Sequence, residues 1–353
     1  MKRKKIFWRR FLRVTVSGII ICSMLFLLQR LLVPKYSVGT QDGAMIAEYY
    51  DDAPKHNLII IGDSEMYENI SPLVLWQNYG INCYIRGSAQ QLIWQSCYLL
   101  EDTLRHETPE AVIINITSMQ YAEPQKESYN RMTLEGMRWS TSKVKAIFAS
   151  MTEEESFWEY VFPLLRYHSR WNDLSDDDFR LMFSEEPVSL NGYMMQVGVK
   201  PAENVPEGRP LADYTFSDTC YEYLDKITAL CKEHGVELIL MKSPSVYPVW
   251  YDEWDAQMKE YAQKNQIKYL NCVNNDEIGL NFRTDTFDGG LHLNVGGAEI
   301  YSNFLGKWLQ SETGISDLRD DAELSKEWEQ KAADYDAKKS EKYKELAMDS
   351  DDS

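Results

Sequence analysis

The chain has 353 residues, 44% of them hydrophobic, with 37 basic and 55 acidic side chains and a net charge of −18. Eight basic residues (Lys2, Arg3, Lys4, Lys5, Arg9, Arg10, Arg13 and Arg30) come first, with no acidic residue among them, leaving 29 basic against 55 acidic residues in the remainder. A body that acidic does not hold a polyanion by general electrostatics, which excludes nucleic acid as a partner.

The first element is an apolar run. Residues 14 to 29 are almost wholly apolar, and beyond Arg30 the run continues through Leu31, Leu32 and Val33. With Arg30 snorkelling, residues 14–33 are long enough to cross about 30 Å of hydrocarbon. The basic cluster before them places the N-terminus in the cytoplasm and the rest of the chain outside. A cleaved signal peptide competes with this reading. The run exceeds a usual h-region and no clear A-x-A-like site follows, which favours an uncleaved, single-pass anchor in the cytoplasmic membrane. Residues 1–35 are then a basic segment and anchor, and 36–56 a linker.

Residues 57–314 read as a folded body. His56 to Ile61 is a short apolar run ending in Gly62, the pattern of a buried parallel strand. Ser71-Pro72 opens a helix that Gly80 closes, so residues 72–79 are helical. A strand near 81–85, the turn Arg86-Gly87-Ser88, a helix from about 90 to 105 and a strand over 111–116 follow. Strand and helix alternating at this spacing mean α/β with a parallel sheet. The alternation breaks at about 118 and resumes near 217, so 118–216 is one large, mainly helical insertion, a lid or acceptor-binding subdomain. It then returns as a helix over 218–234, a strand over 236–241, a helix from 252, a short strand over 267–270 and a closing helix from about 295. Lys242-Ser243-Pro244-Ser245 ends a strand and is placed at the rim of any cleft there. Residues 315–353, rich in Asp, Glu and Lys, read as a solvated, partly helical or disordered tail.

Six cysteines show no CxxC and no metal-ligand spacing, so buried thiols are the default and no metal is expected. Nothing resembles a phosphate loop or a dinucleotide fingerprint, and no cofactor is called for. Of the five histidines, His56, His106 and His234 sit at element edges and read as surface residues. His168, amid Arg166, Tyr167, Arg170 and Trp171, has two readings: packing of the insertion, or a grip on an anionic or sugar acceptor.

Open parallel sheets bind ligands at the carboxyl ends of their strands. Ser64 follows the first strand in Gly62-Asp63-Ser64, Gly87 the second, and Asn115 ends the third. A loop before the last helix carries Asp288-Gly289-Gly290-Leu291-His292. A serine hydroxyl becomes a nucleophile when a base takes its proton, and His292 is the natural base. Asp288 can fix the imidazole tautomer, and the amides of Ser64 and Gly87 with the Asn115 side chain can receive an oxyanion. Asn115 has a plainer reading as well, satisfying backbone groups at the strand end.

Gly62-Asp63-Ser64 after strand one, a glycine after strand two and an Asp-to-His pair before the last helix resemble the SGNH, or GDSL, hydrolases. The run from Asp288 through His292, Leu293, Asn294, Gly297 and Ala298 is similar to the bacterial envelope branch that includes the D-alanine transfer proteins of teichoic acid. The resemblance covers roughly residues 55–116 and 217–311. It implies a flavodoxin-like, three-layer α/β/α fold and an extracytoplasmic serine esterase or O-acyltransferase acting on an O-acyl ester of a cell-envelope glycopolymer. It also implies a membrane-bound O-acyltransferase as a partner. The sequence departs from the family twice. Asp288-x-x-x-His292 is one residue longer than Asp-x-x-His, leaving open whether Asp288 or a backbone carbonyl orients the ring. The usual Gly-x-Asn-Asp is replaced by Asn115-Ile116-Thr117-Ser118. These departures support the rival reading, a non-catalytic envelope-binding protein that keeps the fold.

Overall fold

The computed structural model describes residues 2–34, 43–52, 55–183 and 187–351. The chain divides into two compact units, one from Met1–Asp42 with Glu153–Glu186, the other from Gly43–Thr152 with Pro187–Ser353. Nine residues of the linker expected over 36–56, namely 36–42, 53 and 54, lie outside the described residues, as do the last two residues of the tail.

The larger unit is built on a five-stranded parallel sheet: β1 (Leu58–Gly62), β2 (Cys83–Gly87), β3 (Ala111–Asn115), β4 (Glu237–Lys242) and β5 (Lys268–Asn271), in the order β2-β1-β3-β4-β5. Unbroken apolar runs make the inner strands, because a parallel strand is covered on both faces. Leu58, Ile59, Ile60 and Ile61 have no exposed surface. Leu58 and Ile60 face a layer holding the helices Pro72–Tyr79 and Val295–Thr313, with Leu75, Tyr301 and Leu305 in one core. The helix Ile93–His106 packs on β1 and against the helices Thr141–Ser150 and Asp218–His234. The strand order reverses between β1 and β3, where doubly wound sheets open a crevice at their carboxyl ends. Ser64 follows β1 there.

Three features differ from the sequence reading. His56 is buried, not at the surface: its Nδ1 lies 2.9 Å from Glu107 Oε1 and its Nε2 3.6 Å from Asp52 Oδ2, so both ring nitrogens have a carboxylate. The charged tail is a helix, Ala322–Asp351, with a buried stripe of Leu324, Trp328 and Tyr335 at helical spacing. Trp328 stacks on Trp76 at 5.5 Å, and its Nε1–H donates to Asn82 Oδ1 at 3.1 Å. The Lys242–Ser245 run is buried beneath the turn that carries Ser64 rather than at a rim.

Between the helices Thr141–Ser150 and Asp218–His234, residues 189–202 run along the free edge of β2 and on toward the site. The Ile85 amide donates to Asn191 O, the Met194 amide to Tyr67 O and the Val295 amide to Gln196 O. This strap brings Gln196 beside the helix that holds Ser64.

In the smaller unit, Lys2–Leu32 is one continuous helix, and Ile6–Leu32 is long and apolar enough to cross a membrane, with a mean hydropathy of 2.2 in its most apolar window. The short helices Phe157–Val161, Leu164–Tyr167 and Asp176–Arg180 follow one another in the second segment. His168 there is exposed, and its Nδ1 lies 2.9 Å from Leu165 O.

Candidate active site

Gly62 leaves β1 where a side chain has no room: a Cβ would sit 2.5 Å from Asn115 Cβ and 2.7 Å from Met66 Cγ. The chain then turns into a single helical turn, Ser64–Tyr67, capped by Asp63, whose Oδ1 accepts from the Glu65 amide at 3.0 Å. From His56 to Leu73 every residue is buried except Ser64. The fold thus presents one hydroxyl from an otherwise closed turn.

Ser64 Oγ lies 2.8 Å from His292 Nε2, and His292 Nδ1 lies 2.7 Å from Asp288 Oδ2. Residues 228 positions apart meet here because the loop before the helix Val295–Thr313 crosses the end of β1. The longer Asp-to-His spacing is absorbed by Gly289 and Gly290, with φ of 93° and 101°. The loop folds back so that Asp288 Oδ1 accepts from the His292 amide at 2.9 Å and the Leu291 amide at 3.2 Å, while Oδ2 meets the ring. One carboxylate therefore holds both the backbone and the imidazole of His292. Phe287 stacks on the ring at 6.2 Å.

A second carboxylate stands at the same nitrogen. Glu68 Oε2 lies 3.0 Å from His292 Nδ1, and Glu68 Oε1 accepts from Gln196 Nε2 at 3.2 Å. Two acceptors at Nδ1 require the proton there, which leaves Nε2 to accept from the Ser64 hydroxyl. Glu68 is absent from the sequence reading. The available signal was its place four residues after Ser64, on the same face of a helical turn.

The charges follow from this packing. Burial works to lower the His292 pKa, but the Asp288 hydrogen bond and the charges of Glu68, Asp288 and Asp63 outweigh it and raise it above the usual 6.5. Burial works to raise Asp288, yet its hydrogen bonds to the His292 ring and amide hold it below the usual carboxylate range. Burial pushes Glu68 up, against the pull of His292, Gln196 and Lys342.

Asn115 is placed differently from the sequence expectation of an oxyanion donor. It is 1% exposed, its Nδ2–H donates to Asp63 Oδ1 at 2.6 Å, and its Oδ1 accepts from the Thr117 amide. The plainer reading, a strand-end Asn satisfying its neighbours, describes these contacts. Gly87 pairs with Gly62 across β1 and β2, and the next amide, Ser88, donates to Gly62 O at 3.3 Å.

Beneath the turn lies a buried polar network. Lys242 Nζ donates to Glu65 Oε1 at 2.7 Å and to Ser245 Oγ at 3.0 Å, and the Thr117 hydroxyl donates to Glu65 Oε2 at 2.7 Å. Asn69 donates to Ser243 Oγ at 3.0 Å and accepts from the Leu293 amide at 2.8 Å, which ties the residue after His292 to the exit of β4.

Gly290→Ala is expected to destabilise the chain by about 1–3 kcal/mol through φ strain alone. Its Cβ would also fall 2.1 Å from Val246 Cγ2. Gly235→Ala, at φ +69° with nothing within 4 Å, carries the strain without the clash. Urea unfolding should show the larger loss at Gly290; equal losses would remove the packing argument.

No family model and no curated protein matches the chain. Among solved structures, one from Bacteroides fragilis, described as a "putative acylhydrolase", is similar over 76% of this chain and 95% of its own, at 12% identity and a TM-score of 0.39.

Proposed function

We propose that the chain is a membrane-anchored serine esterase or O-acyltransferase of the SGNH type, acting on an O-acyl ester of a cell-envelope glycopolymer. The observation that carries this reading is the unbroken chain from Ser64 Oγ to His292 Nε2 at 2.8 Å and from His292 Nδ1 to Asp288 Oδ2 at 2.7 Å. In the proposed reaction Ser64 Oγ attacks the acyl carbonyl and its proton passes to His292 Nε2. The alcohol leaves with that proton, and an acyl-Ser64 ester remains. Water or a polymer hydroxyl, deprotonated by His292, then takes the acyl group and restores the serine. The backbone amides of Ser64 and Gly87 receive the oxyanion, with Asn115 acting only if its amide turns from Asp63. Asp288, and Glu68 beside it, position His292 and stabilise its cation.

The apolar helix and the basic residues before it support an orientation with the N-terminus inside and the catalytic body outside the cytoplasmic membrane, bounded as 57–314 with its insertion over 118–216. That address favours an acylated envelope saccharide or polymer as substrate and a membrane-bound O-acyltransferase as partner.

The test is to treat the full-length chain in detergent with a fluorophosphonate probe and map the adduct. Labelling at Ser64, lost in Ser64→Ala together with hydrolysis of p-nitrophenyl acetate, is expected. Absence of both labelling and turnover would return the chain to a non-catalytic envelope-binding role.

The pH dependence has a definite sign. His292 acts as a base only when neutral, and its pKa is raised, so kcat/KM should climb through an acid limb lying above pH 6.5. Glu68→Gln removes one carboxylate from Nδ1 and should move that limb to lower pH. A limb that stays in place would show that Glu68 does not act on His292.

A further inference from the structure

The apolar helix is bare over one stretch and covered over another. From Ile6 to Leu27 every residue is exposed except half-exposed Gly18, whereas Leu28 to Pro34 are half-buried or buried, with Leu32 at 1%. Of this bare stretch only residues 14–27, 14 in number and beyond Arg9, Arg10 and Arg13, carry no charge; at 1.5 Å per residue they span about 21 Å, short of the roughly 30 Å of a hydrocarbon core, so a spanning helix draws on the covered residues that follow. The covering protein is the segment 153–183, whose helices Leu164–Tyr167 and Asp176–Arg180 contact the apolar helix. Two arginines fasten it there. Arg170 Nη1 donates to Leu32 O at 2.7 Å, and Arg30 Nε donates to Met182 O at 2.8 Å.

That same segment exposes six large apolar side chains: Trp158, Phe162, Leu165, Trp171, Phe179 and Phe183, each between 53% and 66% exposed. Trp158 and Phe162 stack on one another at 6.4 Å. Monomeric soluble surfaces rarely gather so much apolar area. Trp8 and Phe11 are exposed at the other end of the bare stretch, so aromatic residues stand at both ends, as at the two interfaces of a spanning helix.

We propose that residues 153–183 form a lipid-facing collar that lies in the headgroup region where the apolar helix leaves the bilayer, with these six side chains inserted at the interface. The occupant is the bilayer itself. The segment carries eight acidic residues against three arginines, so the attraction is apolar burial and not headgroup charge. The collar would fix the depth at which the chain emerges, whatever reaction the other unit performs.

The test uses the full-length chain in nanodiscs of phosphatidylcholine, with or without phosphatidylglycerol, and nitroxide labels read by power saturation. Cys22 is the exposed cysteine, at mid-helix, and the other five are buried, so labelled Cys22 reports insertion of the helix. On a Cys22→Ser background, labels at Phe162→Cys and Phe179→Cys should gain oxygen accessibility and lose accessibility to a water-soluble nickel reagent, relative to Glu154→Cys, in both lipid mixtures. Labels at 162 and 179 as nickel-accessible as 154, with Cys22 inserted, would overturn the collar while leaving the anchor intact. Labels shielded from both reagents would overturn it in favour of a protein partner. Where a cysteine variant fails to insert, quenching by lipids brominated near the headgroup, compared between the parent and Trp158→Phe/Trp171→Phe, gives the same decision: equal quenching in the two overturns the proposal.

Discussion

His292→Ala should slow ester turnover by about four orders of magnitude or more, because nucleophile and base act as one unit and losing either leaves only binding and oxyanion stabilisation. The circular dichroism spectrum should be unchanged, since the residue sits in a loop whose course is held by Asp288, Asn69 and the strap at Gln196. Asp288→Asn should cost less. Its remaining side-chain oxygen can still accept the His292 and Leu291 amides, and Glu68 still stands 3.0 Å from Nδ1 to hold the tautomer. Adding Glu68→Gln to Asp288→Asn should then cost more than Glu68→Gln costs alone, a coupling that a double-mutant cycle on kcat/KM measures. Strict additivity would mean that the two carboxylates serve unrelated purposes. His292→Ala with undiminished turnover would remove the base from the mechanism altogether.

What was legible in the sequence follows from how each feature is encoded. The strands announce themselves because a parallel sheet buried on both faces demands continuous apolar runs, and the Leu58–Gly62 run is one of them. The helix Pro72–Tyr79 was legible from its Ser-Pro start and Gly80 stop, and Asp218–His234 from Gly235 at its end. Ser64 and His292 could be paired from afar, since strand ends in this architecture share one edge. Contacts that depend on loop path were illegible. Glu68 meets His292 only because the Ser64–Tyr67 turn is helical, a turn too short to leave a periodic signal. Asn115 looked available because its partner, Asp63, lies 52 positions away on the neighbouring strand end.

The segment between β3 and the helix Asp218–His234 reads as a single insertion because composition alone cannot say which part packs on what. Its pieces have different surroundings: residues 189–202 border β2 and the site, while 153–183 pack with the apolar helix. The tail misled for a related reason. Its charge density suggested solvation, and three residues at positions 324, 328 and 335 suffice to bury one face of the Ala322–Asp351 helix.

Lys242→Met carries the largest expected cost to stability, about 3–5 kcal/mol, because it strands a buried carboxylate. Glu65 is 2% exposed and Lys242 fully buried, with 2.7 Å between Nζ and Oε1. Coulomb attraction in so dry a place offsets the desolvation of both ions only while both are present. Remove the ammonium and Glu65 keeps the Thr117 hydroxyl but loses its counter-ion, beside an Asp63 carboxyl already pushed up by burial and by the charge of Glu65. The strain falls on the turn that carries Glu65, and Ser64 is the first residue of that turn. Urea unfolding of Lys242→Met should therefore show a lowered midpoint together with slowed fluorophosphonate labelling. The double variant Glu65→Gln/Lys242→Met tests the cause. It removes both charges of the pair, so it should recover a large part of the stability lost in Lys242→Met. If it is no more stable than the single variant, the loss comes from packing around the lysine stem and not from the stranded charge.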